Sequence, residues 1–147
     1  MCLITDNLEK QIATEDLIVY KLFKKNLYSF FMLFKYEIDV LYGTEIKKIH
    51  TNGFWSTCCD LDSNYLRDKY GYEWDKNPKL ICLSEGFHSG LNADVVKHIY
   101  LHSNNNKVIP LSCEIYSCII PKGAEYYTDA VGFVISNKII IKDKILF

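Results

Sequence analysis

Short runs rich in β-branched and aromatic residues, each ended by a turn signal, dictate most of what this chain can become. Residues 18–23 (IVYKLF), 80–83 (LICL), 115–120 (IYSCII) and 138–141 (KIII) are such runs. Lys24-Lys25-Asn26, Ser84-Glu85-Gly86, Pro121-Lys122-Gly123 and Ser136-Asn137 supply the turns. Val108-Ile109 and Tyr126-Tyr127 read as two further strands, and a short one is expected within residues 46–56. In residues 28–41, Tyr36, Ile38 and Val40 alternate with Lys35, Glu37 and Asp39. That period of two marks a half-buried strand, broken at Tyr42-Gly43-Thr44. Strands this short, joined this tightly, pair antiparallel.

Helical signals are fewer. Residues 1–16 are polar and read as a short helix or loop, and residues 61–74 as a short helix stopped at Tyr70-Gly71-Tyr72. Asn92 is placed to cap a helix running to His102, with Ala93, Val96, Ile99 and Tyr100 on one face. The expected fold class is therefore α+β: one domain over residues 1–147, mainly an antiparallel sheet with two or three short helices. Composition agrees, since 147 residues at 49% hydrophobic exclude a disordered chain. No apolar run reaches the ~18 residues of a membrane helix. Asp6 and Glu9 stand where a secretory leader would be basic and then apolar, so a cytoplasmic protein is expected.

The net charge of -1 argues against a general nucleic-acid binder, which needs a basic excess to release counterions. Sixteen lysines accompany a single arginine, Arg67, so bidentate guanidinium reading of phosphate or guanine has almost no basis. Six cysteines without C-x-x-C spacing (Cys2, Cys58, Cys59, Cys82, Cys113, Cys118) are expected as reduced, buried thiols. His98 and His102 share a helical face at i, i+4, but Lys97 and Ile99 flank the first and supply no base, so no metal site is expected. Asp60 and Asp62 lack the glycine and glutamate that complete a calcium loop. With seven glycines there is no phosphate-cradling loop and no nucleophile elbow.

Gly53-Phe54-Trp55-Ser56-Thr57-Cys58 resembles the aromatic-Ser-Thr-Ser strand of ADP-ribosyltransferases. Residues 18–23 resemble that family's first strand, with Lys21 at the position of its dinucleotide-holding arginine. Residues 119–123 (IIPKG) resemble its closing strand. The resemblance implies an NAD-using transferase, with Glu114 as a displaced catalytic carboxylate. The family's Glu-x-Glu pair falls where this chain has Tyr116 and Cys118, which turns the expectation toward no catalysis.

A second resemblance is closer in wording. Gly86-Phe87-His88, residues 118–127 (CIIPKGAEYY), the run Ile139-Ile140-Ile141, and the start MCLIT with Ala13-Thr14-Glu15-Asp16 resemble small proteins of gut-bacterial phages and prophages. The resemblance implies an origin in a phage or mobile element. Twenty-one aromatic residues, eleven of them Tyr, exceed what most cores of this size use. They suit stacking of a nucleobase, or a homo-oligomer interface. The expectation that results is a non-enzymatic phage accessory protein with no cofactor, binding a small ligand of the nucleotide-signal class as counter-defence. Lys21, Trp55, Ser56, His88, Lys122 and Tyr126 are the expected pocket, lysines for phosphate and rings for stacking. A structural or protein-interaction module is the remaining alternative.

Overall fold

The computed structural model describes residues 3–6, 9–29, 34–50, 67–68, 71–73, 80–97, 113–129 and 132–145. Its strands, in chain order, are β1 (Leu3–Asp6), β2 (Gln11–Ile12), β3 (Leu17–Lys24), β4 (Tyr28–Ser29), β5 (Leu41–Gly43) and β6 (Lys47–His50). They continue as β7 (Leu80–Ser84), β8 (Phe87–Gly90), β9 (Cys113–Ile120), β10 (Glu125–Thr128), β11 (Phe133–Ser136) and β12 (Lys138–Ile145). Among the described residues all strand ladders are antiparallel. The larger sheet runs β2-β10-β11-β8-β3-β9-β12-β5, with β4 also on β3, and the smaller runs β1-β7-β6.

The long ladder between β3 and β9 organises the larger sheet, with unbroken register from Leu17↔Ile120 to Lys24↔Cys113. Alternation gives it two unlike faces. Val19 and Phe23 are fully buried with Cys118 and Ile120 on one face, whereas Ile18 on the other is 64% exposed. The buried face is the inside of a curl. β11 hands the chain to β12 through Asn137 alone, although β8, β3 and β9 lie between them in the pairing order. Val134 of β11 consequently joins Ile139 and Ile141 of β12 in one apolar cluster. Asn137 fixes this corner: its Oδ1 accepts from Glu125 N at 2.9 Å, and its carbonyl accepts from Thr44 N at 2.8 Å.

A second core lies on the opposite face, where Ile81 and Leu83 of β7 pack with Tyr127, Phe133, Ile135 and Val95. β7 passes to β8 through Glu85, at φ 64, and Gly86. A Cβ on Gly86 would come within 2.4 Å of Ile135 Cγ1, so only glycine lets the two sheets approach here. The Pro121–Ala124 turn closes with Ala124 N donating to Pro121 O at 3.0 Å, and Gly123 takes the positive φ of a type II turn. The Ala13–Asp16 loop docks on this turn. Gly123 N donates to Ala13 O at 2.8 Å, and Lys122 N to the Asp16 carboxylate at 2.9 Å.

The α+β expectation with two or three helices is overturned: among the described residues the protein is mostly antiparallel β-sheet, with only short helical stretches. The Asn92 cap is real, with Oδ1 accepting from Val95 N at 2.9 Å, and residues 93–97 are helical. The polar start, read as a short helix or loop, instead supplies β1 and β2 among its described residues, and their ladder hydrogen bonds come from distant strands. The alternating segment 34–40 is not a continuous strand. Tyr36 turns inward, but Ile38 and Val40 stay exposed, because Asp39 at φ 63 reverses the chain after a single bridge from Ile38 to Ile141. Tyr42-Gly43, read as a break, belongs to β5 and pairs with β12. β8 and the wholly buried β11 escaped the sequence reading.

Candidate functional site

The free edge of β3 is shared by two strands that diverge. Tyr20 pairs with Gly90 of β8, and Phe23 and Lys24 pair with Ser29 and Tyr28 of β4. Between these pairings neither neighbour completes the ladder at Lys21 and Leu22. Lys21 lies at this fork and, alternating with the buried Val19 and Phe23, projects from the inner face. Its Nζ donates to the His88 carbonyl at 2.9 Å, replacing with a side chain a bond that the backbone does not make.

What surrounds the ammonium is apolar and aromatic. Nζ lies 5.8 Å from the Phe23 ring centroid and 6.0 Å from that of Tyr36, the outer range of a cation–π contact. Tyr36 is the hub of an edge-to-face cluster, with ring centroids 5.4 Å from Phe23, 4.8 Å from Phe34, 4.9 Å from Tyr42 and 6.3 Å from Phe87. Burial lowers the Lys21 pKa from 10.5 to about 8, against a smaller upward pull from Cys118. Burial raises the Cys118 thiol to about 12, with Lys21 pulling it down, so the thiol stays protonated. The Tyr36 phenol is also pushed up to about 12, chiefly by burial. Among the described residues, no carboxylate pairs with Lys21.

Register puts further polar groups on the same face. Ser89 pairs with Val134, and Ser136 lies two residues beyond Val134, so both hydroxyls share the inner face. Both are buried, and among the described residues neither Oγ has a hydrogen-bond partner. At the rim, Tyr116 donates to Glu114 Oε2 at 3.1 Å, and Lys144 approaches the same oxygen at 3.5 Å. An inward ammonium beside a set of aromatic rings is chemistry suited to a flat ligand that carries acceptor atoms.

The expected site residues fall differently. Lys21 and His88 meet, but through the His88 backbone; the imidazole points to the opposite face, because His88 pairs with Ile135 of the second core. Its Nδ1–H donates to Gly86 O at 3.1 Å, which leaves Nε2 as a buried acceptor without a partner among the described residues. Burial, with Lys21 adding to it, lowers the ring's pKa to about 3, so it is neutral. Tyr126 pairs with Ser136 and packs against the inner cluster. Lys122 is exposed on the Pro121–Ala124 turn, away from the inner face. Glu114 lies opposite Phe23 and is engaged by Tyr116 and Lys144. Trp55 and Ser56, like His98, His102, Cys58 and Cys59, lie outside the described residues.

The sequence reading missed Tyr36, Ser89 and Ser136. One signal pointed to this place: a lysine at a core-facing position of a strand, flanked at i−2 and i+2 by Val19 and Phe23. Cys113 and Cys118 are buried and not in disulfides, in keeping with reduced thiols. No group of three or more metal-ligating side chains occurs among the described residues, and no described helix is long and apolar enough to cross a membrane. Comparison of the chain with protein-family models, curated proteins and solved structures found no match.

Proposed function

We propose that the protein is a non-enzymatic binding protein whose curled sheet takes up a small ligand of the nucleotide class at the Lys21 fork. The observation that carries this reading is the Lys21 ammonium, held on an inner face beside the Phe23 and Tyr36 rings without a carboxylate partner among the described residues. A buried charge is retained against a desolvation cost only where something offsets it. A phosphate supplies that charge, and a base supplies a π-face for the aromatic cluster. Lys21 holds the phosphate as a point charge, which accords with a chain that has one arginine. The resemblance of residues 86–88 and 118–127 to phage proteins supports an accessory role in which a host's nucleotide signal is sequestered. The transferase alternative finds less support, because Glu114 is already bonded to Tyr116 and Lys144.

The test is a thermal-shift screen of wild type and Lys21→Met against mono-, di- and cyclic nucleotides. A nucleotide at 100 times its dissociation constant stabilises the native state by about 2.7 kcal/mol, and that gain disappears in the variant. A flat response across the panel overturns the proposal.

A further inference from the structure

The fork gives Lys21 a chemistry beyond holding an anion. We propose that Lys21 is a carbonyl-capturing amine, which forms an imine with an aromatic aldehyde admitted to the inner face. This rests on the reading of the fork as a ligand site but not on the ligand being a nucleotide. Geometry supplies the conditions. One N–H of Nζ is directed at the His88 carbonyl at 2.9 Å, which holds the amine in place. The Phe23 and Tyr36 rings, 5.8 Å and 6.0 Å away, give the amine an apolar, aromatic surround. No carboxylate among the described residues pairs with Lys21 to hold the proton on it. The titratable groups packed around it are the Cys118 thiol, the Tyr36 phenol and, directly across the ladder, the Tyr116 phenol, all pushed up by burial. The His88 ring is neutral, and Glu114 beyond Tyr116 is engaged by that phenol and by Lys144.

The step balances without an oxidant. The ε-amine lone pair attacks the carbonyl carbon to form a C–N bond. The carbonyl oxygen then leaves as water with the two hydrogens of the neutral amine, and a C=N bond remains. Attack needs the unprotonated amine, and burial makes that form accessible. At pH 7.5 roughly one Lys21 in four is neutral, against about one in a thousand for an ordinary lysine.

The experiment treats the native full chain with substoichiometric pyridoxal 5′-phosphate, and separately with unphosphorylated pyridoxal. Borohydride then traps the imine as a stable amine, and peptide mass mapping locates it. The same treatment in guanidinium shows the intrinsic preference of the sixteen lysines. The expected result is labelling of Lys21 at least about tenfold faster than any other lysine in the native protein. The preference is lost on unfolding, and the rate falls as pH drops below about 8. Both aldehydes label, the phosphorylated one faster if the fork also holds phosphate. Label spread over exposed lysines, or an unlabelled Lys21, overturns the proposal. If nucleotides stabilise the protein while Lys21 stays unlabelled, imine capture falls and the nucleotide reading stands. If Lys21 labels and the nucleotide screen is flat, the reverse holds.

Discussion

Replacing Lys21 by methionine keeps the length of the side chain and removes its charge, so it measures what the inner face costs the fold. The native pKa of about 8 lies below the unfolded value of 10.5. Between those values the unfolded chain binds more protons than the native one, so the Lys21 contribution to stability rises with pH through this window. Below pH 8 both states are charged and the desolvation penalty is present in full. Above pH 10.5 both are neutral and it is gone. The full shift corresponds to roughly 3 kcal/mol, of which about 2.5 kcal/mol appears between pH 7 and pH 10. Cys118 and Tyr36 act with the opposite sign, because their native pKa values of about 12 make the unfolded state release protons first as pH rises. Those terms cancel when wild type and Lys21→Met are compared at each pH. The assay is urea unfolding of both proteins at pH 7, 8, 9 and 10. Wild type gains about 2.5 kcal/mol on the variant across the series, starting from near parity or below at pH 7, where the variant loses the bond to the His88 carbonyl but sheds the buried charge. A difference that stays constant within about 0.5 kcal/mol from pH 7 to pH 10 would show that Lys21 is solvated, and would refute the buried-amine argument for this site.

Other expectations follow from single features of the fold. Gly86→Ala puts a methyl 2.4 Å from Ile135 Cγ1 and lowers stability by about 1–3 kcal/mol through overpacking. Gly123→Ala has nothing within 4 Å and costs only the left-handed backbone, about 1–2 kcal/mol; equal urea midpoints for wild type and both variants would contradict the packing at Gly86 and the turn geometry alike. His88 has a native pKa of about 3, below the unfolded 6.5, so its stabilisation is present above pH 6.5 and is lost progressively as pH falls toward 3. His88→Gln therefore flattens the acid limb of the stability curve, and the wild-type ring gives no NMR titration between pH 8 and 5. Asp129→Ala removes the acceptor that takes both Gly132 N and Phe133 N at 2.9 Å in a buried turn, and costs about 2–4 kcal/mol in urea unfolding, with Asp129→Asn recovering part of it.

The parts of the fold that sequence made legible are those whose signal is local. IVYKLF and IYSCII became β3 and β9, because β-branched runs of that length have few other uses. Asn92 became a cap, and Pro121-Lys122-Gly123 became the turn its residues demand. The illegible parts are decided by distant partners. Gln11-Ile12 is a strand only because Glu125 and Tyr126 lie beside it, and Phe87–Gly90 only because β11 does. The alternation at residues 35–40 was genuine, but Asp39 spends it on a reversal rather than a ladder. The site was half legible for the same reason. Lys21 and His88 could be picked from sequence, yet the inner face that collects Lys21, Ser89 and Ser136 exists only once β3, β8 and β11 adjoin. Nothing in the sequence near His88 says that its ring belongs to one core and its carbonyl to the other.

The ladder between β3 and β9 joins residues about a hundred positions apart. During synthesis, at roughly 5–20 residues per second, β3 therefore waits on the order of 5–20 s for its long partner. Throughout that interval the edge of IVYKLF that β9 will cover is bare and apolar, and its one interior charge is Lys21. A lysine in the middle of such a run is a gatekeeper against pairing with other nascent chains. The residue that burdens the finished core also protects the unfinished one, so Lys21→Met, though folded, should yield less native protein from the ribosome than wild type.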